Sequence, residues 1–352
     1  MNAHPTLLIN GRKIKANPGD TLLDAGFANR IVIPHDCCTG QCSTCRVRVY
    51  DGEVDDEGTR DGDTVLACQA TVSGNAVIEF DEVPLAAKRS GTVTAVGKIS
   101  PDIWEVVVTL TKPLTYLPGQ YVKVSFAGFP SRDYSPTLRV DGTCELNELV
   151  FHIRACADGA VSSEFGRRIA LGHRVRVRGP FGSAFFRKGE GRIVLVATGT
   201  GWAPIWSVAR AARYHQPDRE MIVVVGARDP ANLYMQPSLD WLRQTGVQNI
   251  TLTCTGRRAD GAVQSGRPTV HLPRLQENDT VYVSGAPEMV AAVEFLAGIS
   301  GAACHADPFT AATGRPRLSS VIAGWVRQYA SSGSMKTGAE HENPQPSPTA
   351  AA

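Results

Sequence analysis

The amino-acid sequence predicts a multidomain protein with three differently built parts: a small cysteine-bearing module, an all-β segment and a parallel α/β sheet. Three observations lead to this fold class. A chain of 352 residues is longer than one ordinary domain. Five of the nine cysteines lie within the first 70 residues. Downstream, strands punctuated by glycine and proline give way to apolar strands that alternate with helical stretches.

The most informative stretch is the cysteine-rich loop at residues 37–45. Its C-x4-C-x2-C spacing, with a fourth cysteine downstream, is the plant-type ligand pattern for a 2Fe-2S cluster. A zinc site or a disulfide cluster is the alternative, but zinc usually takes paired C-x2-C units and only one is present. Cys38 lies one residue too close to Cys42 for this spacing. The predicted metal ligands are Cys37, Cys42, Cys45 and Cys68.

The charge is unevenly distributed along an otherwise ordinary globular composition of 43% hydrophobic residues. Residues 1–85 contain 13 acidic and 7 basic residues, a net of −6, whereas the remainder, with 29 basic and 21 acidic residues, carries +8. Residues 88–188 alone hold 15 basic and 8 acidic residues. An acidic module on a basic body indicates charge-guided docking, within the chain or with a partner. Ordinary surface variation is the alternative.

The remaining cysteines and the N-terminus bear on location. Cysteines scattered through apolar segments are expected to be buried free thiols, which predicts a reducing, cytoplasmic compartment; they are Cys144, Cys156, Cys254 and Cys304. The N-terminus lacks the regions of a signal peptide. The apolar run from Ile193 to Ala209 is interrupted by two glycines and a proline, which predicts strand–turn–helix instead of a membrane span. Neither a membrane nor nucleic acid is an expected partner.

The order of elements in the first module is that of a compact mixed sheet. The sequence predicts a hairpin over residues 6–15 that turns at Asn10-Gly11, then a short helix capped by Asp20 or Thr21. Strands over residues 46–50 and 76–80 follow the cysteine loop. This order resembles the β-grasp of plant-type ferredoxins over residues 5–82.

Residues 83–89 are predicted to be a linker, and strand patterns punctuated by glycine and proline begin at Gly91. Four short segments then occur in order: PGQY at 118–121, RDYS at 132–135, GxxS at 159–162 and GPFG at 179–182. Together they resemble the ferredoxin-NADP reductase superfamily, in which R-x-Y-S binds flavin on a six-stranded antiparallel barrel. A barrel without a ligand is the alternative.

The resemblance implies specific flavin contacts. Tyr134 would stack on the isoalloxazine ring and Arg132 would neutralise the pyrophosphate. Ser135, as a catalytic residue, would hydrogen-bond the flavin nitrogen that accepts hydride. A helix beginning at Ser162 would offer free amides to phosphate. The full set of predicted FAD-binding residues is Arg132, Asp133, Tyr134, Ser135, Phe151, His152, Ile153, Arg154, Gly159, Val161, Ser162 and Phe309. For Phe309 a core aromatic is the alternative.

The last part has nearly continuous apolar strands at residues 192–197, 221–226 and 280–285, as buried parallel strands should be. A glycine-rich turn after the first strand allows close approach of a pyrophosphate at a helix N-terminus, although plain strand–helix turns also use glycine. The superfamily's GTGxxP and SGAPEM segments match here. The predicted nicotinamide-nucleotide contacts are Gly199, Thr200, Gly201, Pro204, Gly226, Arg228, Asp229, Gly285, Pro287 and Met289.

Two positions in this part carry finer predictions. The superfamily usually has cysteine beside the nicotinamide, at the position of Ser284 in this chain. The resemblance therefore implies that Ser284 is a catalytic residue. We expect hydride transfer to be slower with serine than with cysteine at this position. Arg228 would pair with the 2′-phosphate of NADPH, whereas Asp229 would accept a hydrogen bond from a ribose hydroxyl and repel that phosphate. A solvated loop is the alternative for both. NADH is the preferred nucleotide, with NADPH as the alternative.

The predicted fold is therefore a β-grasp 2Fe-2S ferredoxin domain over residues 1–85, an FAD-binding six-stranded antiparallel β-barrel over 89–188 and an α/β parallel-sheet NAD(P)H-binding domain over 189–312. Residues 313–352 form a C-terminal extension, with a short amphipathic helix at 318–329 and a disordered tail at 331–352.

The resemblance implies an electron-transfer reductase of an aromatic-compound oxygenase system, similar to bacterial dioxygenase reductases. Electrons from NADH would pass through FAD and a 2Fe-2S cluster to a Rieske-type ferredoxin and/or the terminal oxygenase. The expected state is a monomer. A redox carrier or sensor, or a sugar-nucleotide dehydration reductase of the same superfamily, is the alternative function.

Overall fold

A computed structural model of the chain describes residues 4–256 and 261–309. The predicted helix at 318–329, the predicted tail at 331–352 and the rest of the C-terminal extension lie outside the described residues. Within the described residues, none of the helices is long and apolar enough to cross a bilayer.

The first module is a five-stranded sheet with one helix against it. The predicted hairpin is present, and the helix is capped by Thr21, whose hydroxyl accepts a hydrogen bond from the Asp24 amide at 3.0 Å. The sheet order is β2-β1-β5-β3-β4, with β1 parallel to β5. The elements are β1 Thr6–Ile9, β2 Arg12–Lys15, α1 Leu22–Ala28, β3 Arg46–Asp55, β4 Thr64–Leu66 and β5 Thr71–Glu79.

The second part is an antiparallel sheet of six strands in the order β10-β7-β6-β11-β8-β9, which confirms the predicted six-stranded fold. A bridge between Thr137 and Val150 links the chain after β9 to β10. Valines and phenylalanines from alternating positions fill its interior. The strands are β6 Ala87–Ser100, β7 Ile103–Leu110, β8 Tyr121–Phe126, β9 Arg132–Tyr134, β10 Glu148–Arg154 and β11 Arg174–Phe181.

Two predictions for this part are wrong. The linker was predicted to extend to Arg89, but β6 begins at Ala87 because Ala87, Lys88 and Arg89 already pair with β11. The helix expected from Ser162 is a single 3-10 turn, Ser162–Glu164, which ends at Phe165 because that residue returns to extended backbone. Such a turn lacks the aligned peptide dipoles of a long helix.

The third part is an all-parallel sheet in the order β15-β14-β13-β12-β16-β17. Strands β14, β15 and β17 were not predicted, because β14 and β17 include polar residues, β17 ends in a proline and β15 is only three residues long. The elements are β12 Ile193–Thr198, α2 Trp202–His215, β13 Met221–Ala227, α3 Gln236–Gln244, β14 Asn249–Cys254, β15 Val263–Ser265, β16 Thr280–Gly285, α4 Pro287–Ser300 and β17 Ala303–Pro308.

Helices cover the faces of this sheet, which explains the continuous apolar strands. Helix α2 buries Trp202 and Trp206, whose stacked rings lie 6.2 Å apart, in a core shared with α3 and β13. Helix α4 packs in a second core with β12 and β16 through Val290 and Val293. The carboxyl ends of β12 and β16 therefore meet at one edge, where ligands of such sheets bind.

A buried ion pair ties the starts of β12 and β16 together. Both carboxylate oxygens of Asp279 accept hydrogen bonds from Arg192, at 2.9 and 2.7 Å, and one also accepts the Gln276 amide. Asp279 is 1% exposed. We expect Asp279→Ala to lower the free energy of unfolding of this domain by about 3 kcal/mol, because Arg192 loses its partner away from water. Chemical denaturation followed by tryptophan fluorescence measures this.

The matched control is Asp240→Ala, which breaks the Asp240–Arg243 pair on the exposed face of α3. This variant should lower the free energy of unfolding by less than about 1 kcal/mol. Equal losses for the two variants would contradict the structural role assigned to Asp279.

Candidate functional site

The cysteine loop directs backbone amides at one sulfur. The Sγ atom of Cys37 accepts hydrogen bonds from the amides of Thr39, Gln41 and Cys42, each at 3.4 Å. A positive φ at Gly40, together with those at Cys38 and Ser43, curls the backbone around this sulfur. Hydrogen bonds to a ligand sulfur stabilise its thiolate and tune an iron–sulfur centre. The loop therefore suits a cluster ligand at Cys37.

The pKa values of the cysteine thiols differ in the way that these hydrogen bonds and burial predict. Burial raises the pKa of Cys37, but hydrogen bonds from Thr39 and Cys42 outweigh it and lower this pKa to about 6. Burial raises the pKa of Cys45 to about 12. Cys45 and Cys68 are buried, and the side-chain amide of Gln69 donates a hydrogen bond to the Cys68 sulfur at 3.6 Å. Soft sulfur donors in an enclosed loop are the chemistry that 2Fe-2S clusters require.

Cys38 differs from its neighbours. Its side chain is exposed, and its sulfur lies 4.0 Å from the carbonyl oxygen of Asp36, away from the amides that surround Cys37. Among the described residues, no three His, Cys, Asp or Glu side chains already stand in metal-coordinating geometry. The choice of Cys37 over Cys38 is therefore supported by the amide pattern. The expectation that the four other cysteines are buried is wrong for Cys144 and Cys156, which are exposed.

The R-x-Y-S motif lies on β9 and the residue after it. The ring of Tyr134 contacts that of Phe151 at 5.8 Å, and burial raises the pKa of Tyr134. Arg132 donates to the carbonyl of Ser131 at 2.8 Å. Asp133 pairs across the sheet with Lys123 on β8.

The side chains of the other predicted flavin-binding residues point in different directions. Phe151 and Ile153 point into the barrel core, so only their backbone is available to a flavin. The ring of His152 contacts Tyr234 of the parallel-sheet domain at 5.2 Å, and its Nε2 lies 3.4 Å from Glu105 on the neighbouring barrel strand β7. Arg154 pairs with Asp102.

The G-x-x-S segment forms a compact turn. The Ser162 hydroxyl accepts the Cys156 amide at 3.1 Å, and a side chain at Gly159 would collide with that hydroxyl. Val161 is buried in the barrel core.

Glycines allow the loops after β12 and β16 to pack closely against each other. A Cβ at Gly201 would lie 2.3 Å from the carbonyl oxygen of Ser284, and one at Gly285 would lie 2.4 Å from the Thr198 hydroxyl. That hydroxyl accepts the Ala286 amide at 2.9 Å. Helices α2 and α4 both begin at this edge without a side-chain cap. The Trp202 amide at the start of α2 already donates to the carbonyls of Gly199 and Thr200, and Pro287 at the start of α4 has no N–H, so the close-packed glycine loops before these helices are the surface left for a pyrophosphate.

The remaining predicted nucleotide residues surround this edge. Gly199 and Thr200 form the turn before α2, and Pro287 begins α4. Pro204 and Met289 are buried in the first turns of their helices.

At the end of β13, Gly226 packs so closely against Pro268 and Thr253 that a Cβ atom would collide with them. Glycine is therefore required at this position for packing. Arg228 and Asp229 are both exposed beyond it. One oxygen of Asp229 caps the next turn by accepting the Ala231 amide at 2.9 Å.

Asp307 on β17, which sequence reasoning missed, joins the two predicted catalytic serines. The Ser135 hydroxyl donates to the Asp307 carboxylate at 3.3 Å, and the Ser284 hydroxyl donates to the Asp307 carbonyl at 3.0 Å. Next to it, the Phe309 amide donates to the carbonyl of Gly285 at 2.8 Å. A residue of the flavin motif and one of the nicotinamide loop thus meet at one residue, the first at its carboxylate and the second at its backbone carbonyl. The parallel register of β17 with β16 places it there, and no local motif shows that register.

Three family models match: 2Fe-2S iron-sulfur cluster binding domain at residues 7–73, oxidoreductase FAD-binding domain at 90–186 and oxidoreductase NAD-binding domain at 195–294. The reductase component of the naphthalene 1,2-dioxygenase system of Pseudomonas putida, a ferredoxin–NAD(P)+ reductase, is 32% identical over 85% of this chain and 96% of its own length. The chain belongs to the family of ferredoxin–NAD(P)+ reductase components of oxygenase systems.

Further relatives agree with this family. A naphthalene 1,2-dioxygenase/salicylate 5-hydroxylase reductase component of a Ralstonia species is 33% identical over 84% of this chain and 95% of its own length. The crystal structure of a cytochrome P450 reductase of Amycolatopsis matches with a TM-score of 0.64 and 27% identity, covering 88% of this chain and all of the other. The predicted fold class, the three cofactors and the role of an electron-transferring oxidoreductase are confirmed.

The Ser284 position of this reductase can be tested directly. Ser284 is 1% exposed and hydrogen-bonded to the strand that bears Asp307. We expect Ser284→Cys to raise the rate of hydride transfer from NADH, because cysteine restores the side chain usual beside the nicotinamide in this superfamily. Stopped-flow flavin reduction measures this rate. An unchanged rate at full FAD content would contradict the prediction.

Asp307 is expected to govern the same step through Ser135. We predict that Asp307→Ala slows flavin reduction by roughly tenfold, the equivalent of one lost hydrogen bond. The Ser135 hydroxyl would lose the acceptor that orients it. Exposed Asp240→Ala is the control, and an Asp307→Ala enzyme with normal reduction rates would exclude this role.

Proposed function

We propose that this chain is the NADH-dependent reductase that supplies a Rieske-type ferredoxin, a terminal oxygenase or both, in an aromatic-compound oxygenase system. The observation that carries the proposal is the placement of the cysteine loop. One flank meets the flavin barrel, where the Thr44 hydroxyl accepts the Gly182 amide at 3.0 Å. The opposite rim, with Cys38, Thr39 and Gln41, is exposed. An acceptor can therefore approach the cluster from outside.

When bound, FAD accepts hydride from the nicotinamide and the 2Fe-2S cluster carries single electrons onward. The chain's own residues position these groups. Tyr134 and Arg132 would hold the flavin ring and pyrophosphate, and the glycine loops after β12 and β16 would bind the nucleotide phosphates. The four cysteines Cys37, Cys42, Cys45 and Cys68 would hold the cluster. The Ser135–Asp307–Ser284 contacts orient the hydroxyls where hydride moves.

NADH is the nucleotide we propose. Asp229 is exposed at the carboxyl end of β13, and only one of its oxygens is used in capping. A carboxylate there accepts ribose hydroxyls and repels a 2′-phosphate. Arg228 is also exposed, and its carbonyl is held by the Gly256 amide at 2.8 Å. The ratio of kcat/KM for NADH to that for NADPH, expected well above one, measures the preference.

The alternatives fit less well. A redox carrier or sensor leaves the flavin- and NAD-binding domains without a role. A sugar-nucleotide dehydration reductase shares the three domains, but the relatives described above are oxygenase components.

The proposal includes the predicted domain boundaries 1–85 and 189–312, with the barrel domain taken from Ala87, where β6 begins, to residue 188. It also includes a monomeric state, and a cytoplasmic location that is supported by the absence of disulfides among the five other cysteines, all of which lie in the described residues.

The experiment that tests the proposal separates flavin from cluster activity. Ferricyanide takes electrons from flavin directly, whereas the natural acceptor, or cytochrome c, requires the cluster. We expect Cys45→Ser to lower cytochrome c and Rieske ferredoxin reduction by roughly 100-fold or more, because a buried thiolate ligand is lost. NADH–ferricyanide activity should remain. Iron content and circular dichroism are measured alongside.

Cys144→Ser, which changes an exposed thiol outside the cysteine loop, is the control and should preserve both activities. If Cys45→Ser keeps both activities, the cluster is not on the path. A purified wild-type protein that has no flavin absorbance and does not oxidise NADH would end the reductase proposal.

A further inference from the structure

A buried carboxylate connects the cluster-binding module to the flavin barrel. Asp36 precedes the predicted ligand Cys37, and its side chain is only 3% exposed. One of its oxygens accepts the Tyr121 hydroxyl at 3.0 Å and the Lys123 ammonium at 2.8 Å. Both donors lie on β8 of the barrel. A carboxylate removed from water needs such partners, so undocking the module would break a charged contact and a hydrogen bond together.

Lys123 also reaches the flavin motif. Its ammonium lies 3.5 Å from Asp133, which stands between Arg132 and Tyr134 and pairs with Lys123 in the β8–β9 register. Strand β8 thus separates the cysteine loop from the flavin-binding strand by the width of one strand. A single ammonium contacts carboxylates on both sides, and the Asp36 contact raises the pKa of Lys123 despite burial, which keeps it charged.

We propose that Lys123 is a positioning residue that holds the cluster loop against the flavin-binding strand and thereby sets the rate of electron transfer between the two redox centres. Electron transfer depends on a fixed separation and orientation of the centres. The charge asymmetry of the sequence supports this role, since the module carries −6 and residues 88–188 carry an excess of basic residues.

The second ion pair between module and body differs in burial. Arg187, just after β11, pairs with Asp81 at 2.6 Å, but the Asp81 side chain is 54% exposed. Arg187 also donates to Ser183 and Phe185, so it is anchored without the module. Exposed pairs contribute little and are screened by salt. The buried Asp36–Lys123 contact is therefore the one expected to fix the cluster loop.

The proposal rests on the electron route stated above, and its test separates the two. Lys123→Met removes the charge and keeps much of the side-chain length, and Lys123→Arg restores a cation. Lys98→Met is the matched control, because Lys98 is exposed on β6 and contacts Pro101 and Trp104 within the barrel. Each variant is assayed for FAD and iron content, ferricyanide and cytochrome c reduction, and hydrogen–deuterium exchange over residues 36–45.

In Lys123→Met we expect cytochrome c reduction to fall about tenfold, with ferricyanide reduction and both cofactor contents retained. The figure is moderate because Lys123 is 30% exposed and part of the loss is screened. Amides in residues 36–45 should exchange faster, also in protein stripped of cofactors. Lys123→Arg should recover most of both losses, and Lys98→Met should match the wild type.

Two results would overturn the proposal. Unchanged exchange and an unchanged ratio of cytochrome c to ferricyanide activity in Lys123→Met would show that the contact does not position the loop. A parallel loss of both activities with lower FAD content would assign Lys123 to flavin binding instead. Failure of the reductase function itself would appear already in the wild-type protein, as absent NADH–cytochrome c activity.

Discussion

The burial of the Asp36 carboxylate against β8 is the constraint on which the arrangement of the redox parts depends. Cys37 follows Asp36 directly, and the amides that point at its sulfur come from the next five residues. Whatever fixes Asp36 therefore fixes the start of the cluster loop. Because Tyr121 and Lys123 are alternate residues of one strand, their side chains lie on the same face and converge on one oxygen. The loop is held at its first residue and, through Thr44, near its last.

At the other end of the electron route, close backbone packing fixes the relative position of two loops. Gly201 and Gly285 let the loops after β12 and β16 approach so closely that no side chain fits between them. This brings Ser284 beside β17, whose Asp307 reaches back to Ser135 on the barrel. The barrel and the parallel sheet are thus joined through the residues predicted to contact the flavin and the nicotinamide.

The sequence allowed the fold to be predicted where each element carries its own pattern. The cysteine spacing and the apolar strands 192–197 and 221–226 needed no partner to be recognised. Strand β17 could not be predicted, because Ala303–Pro308 contains histidine, aspartate and proline and becomes a strand only by pairing with β16. Asp307 and Lys123 were missed for the same reason: their importance lies in contacts with residues 172 and 87 positions away, which no local motif encodes.

The negative charge of the module has a different meaning in the folded chain than in the sequence. Asp36 and Asp81 form ion pairs with Lys123 and Arg187, so this part of the module's charge is neutralised within the chain. The exposed rim of the cysteine loop, Cys38 to Gln41, carries no charge. Nearby, Phe27 is 44% exposed and packs its ring on His35. Two of the module's acidic side chains thus serve docking inside the chain, while the exposed rim of the cysteine loop, the surface proposed for an acceptor, is uncharged and bordered by an apolar side chain.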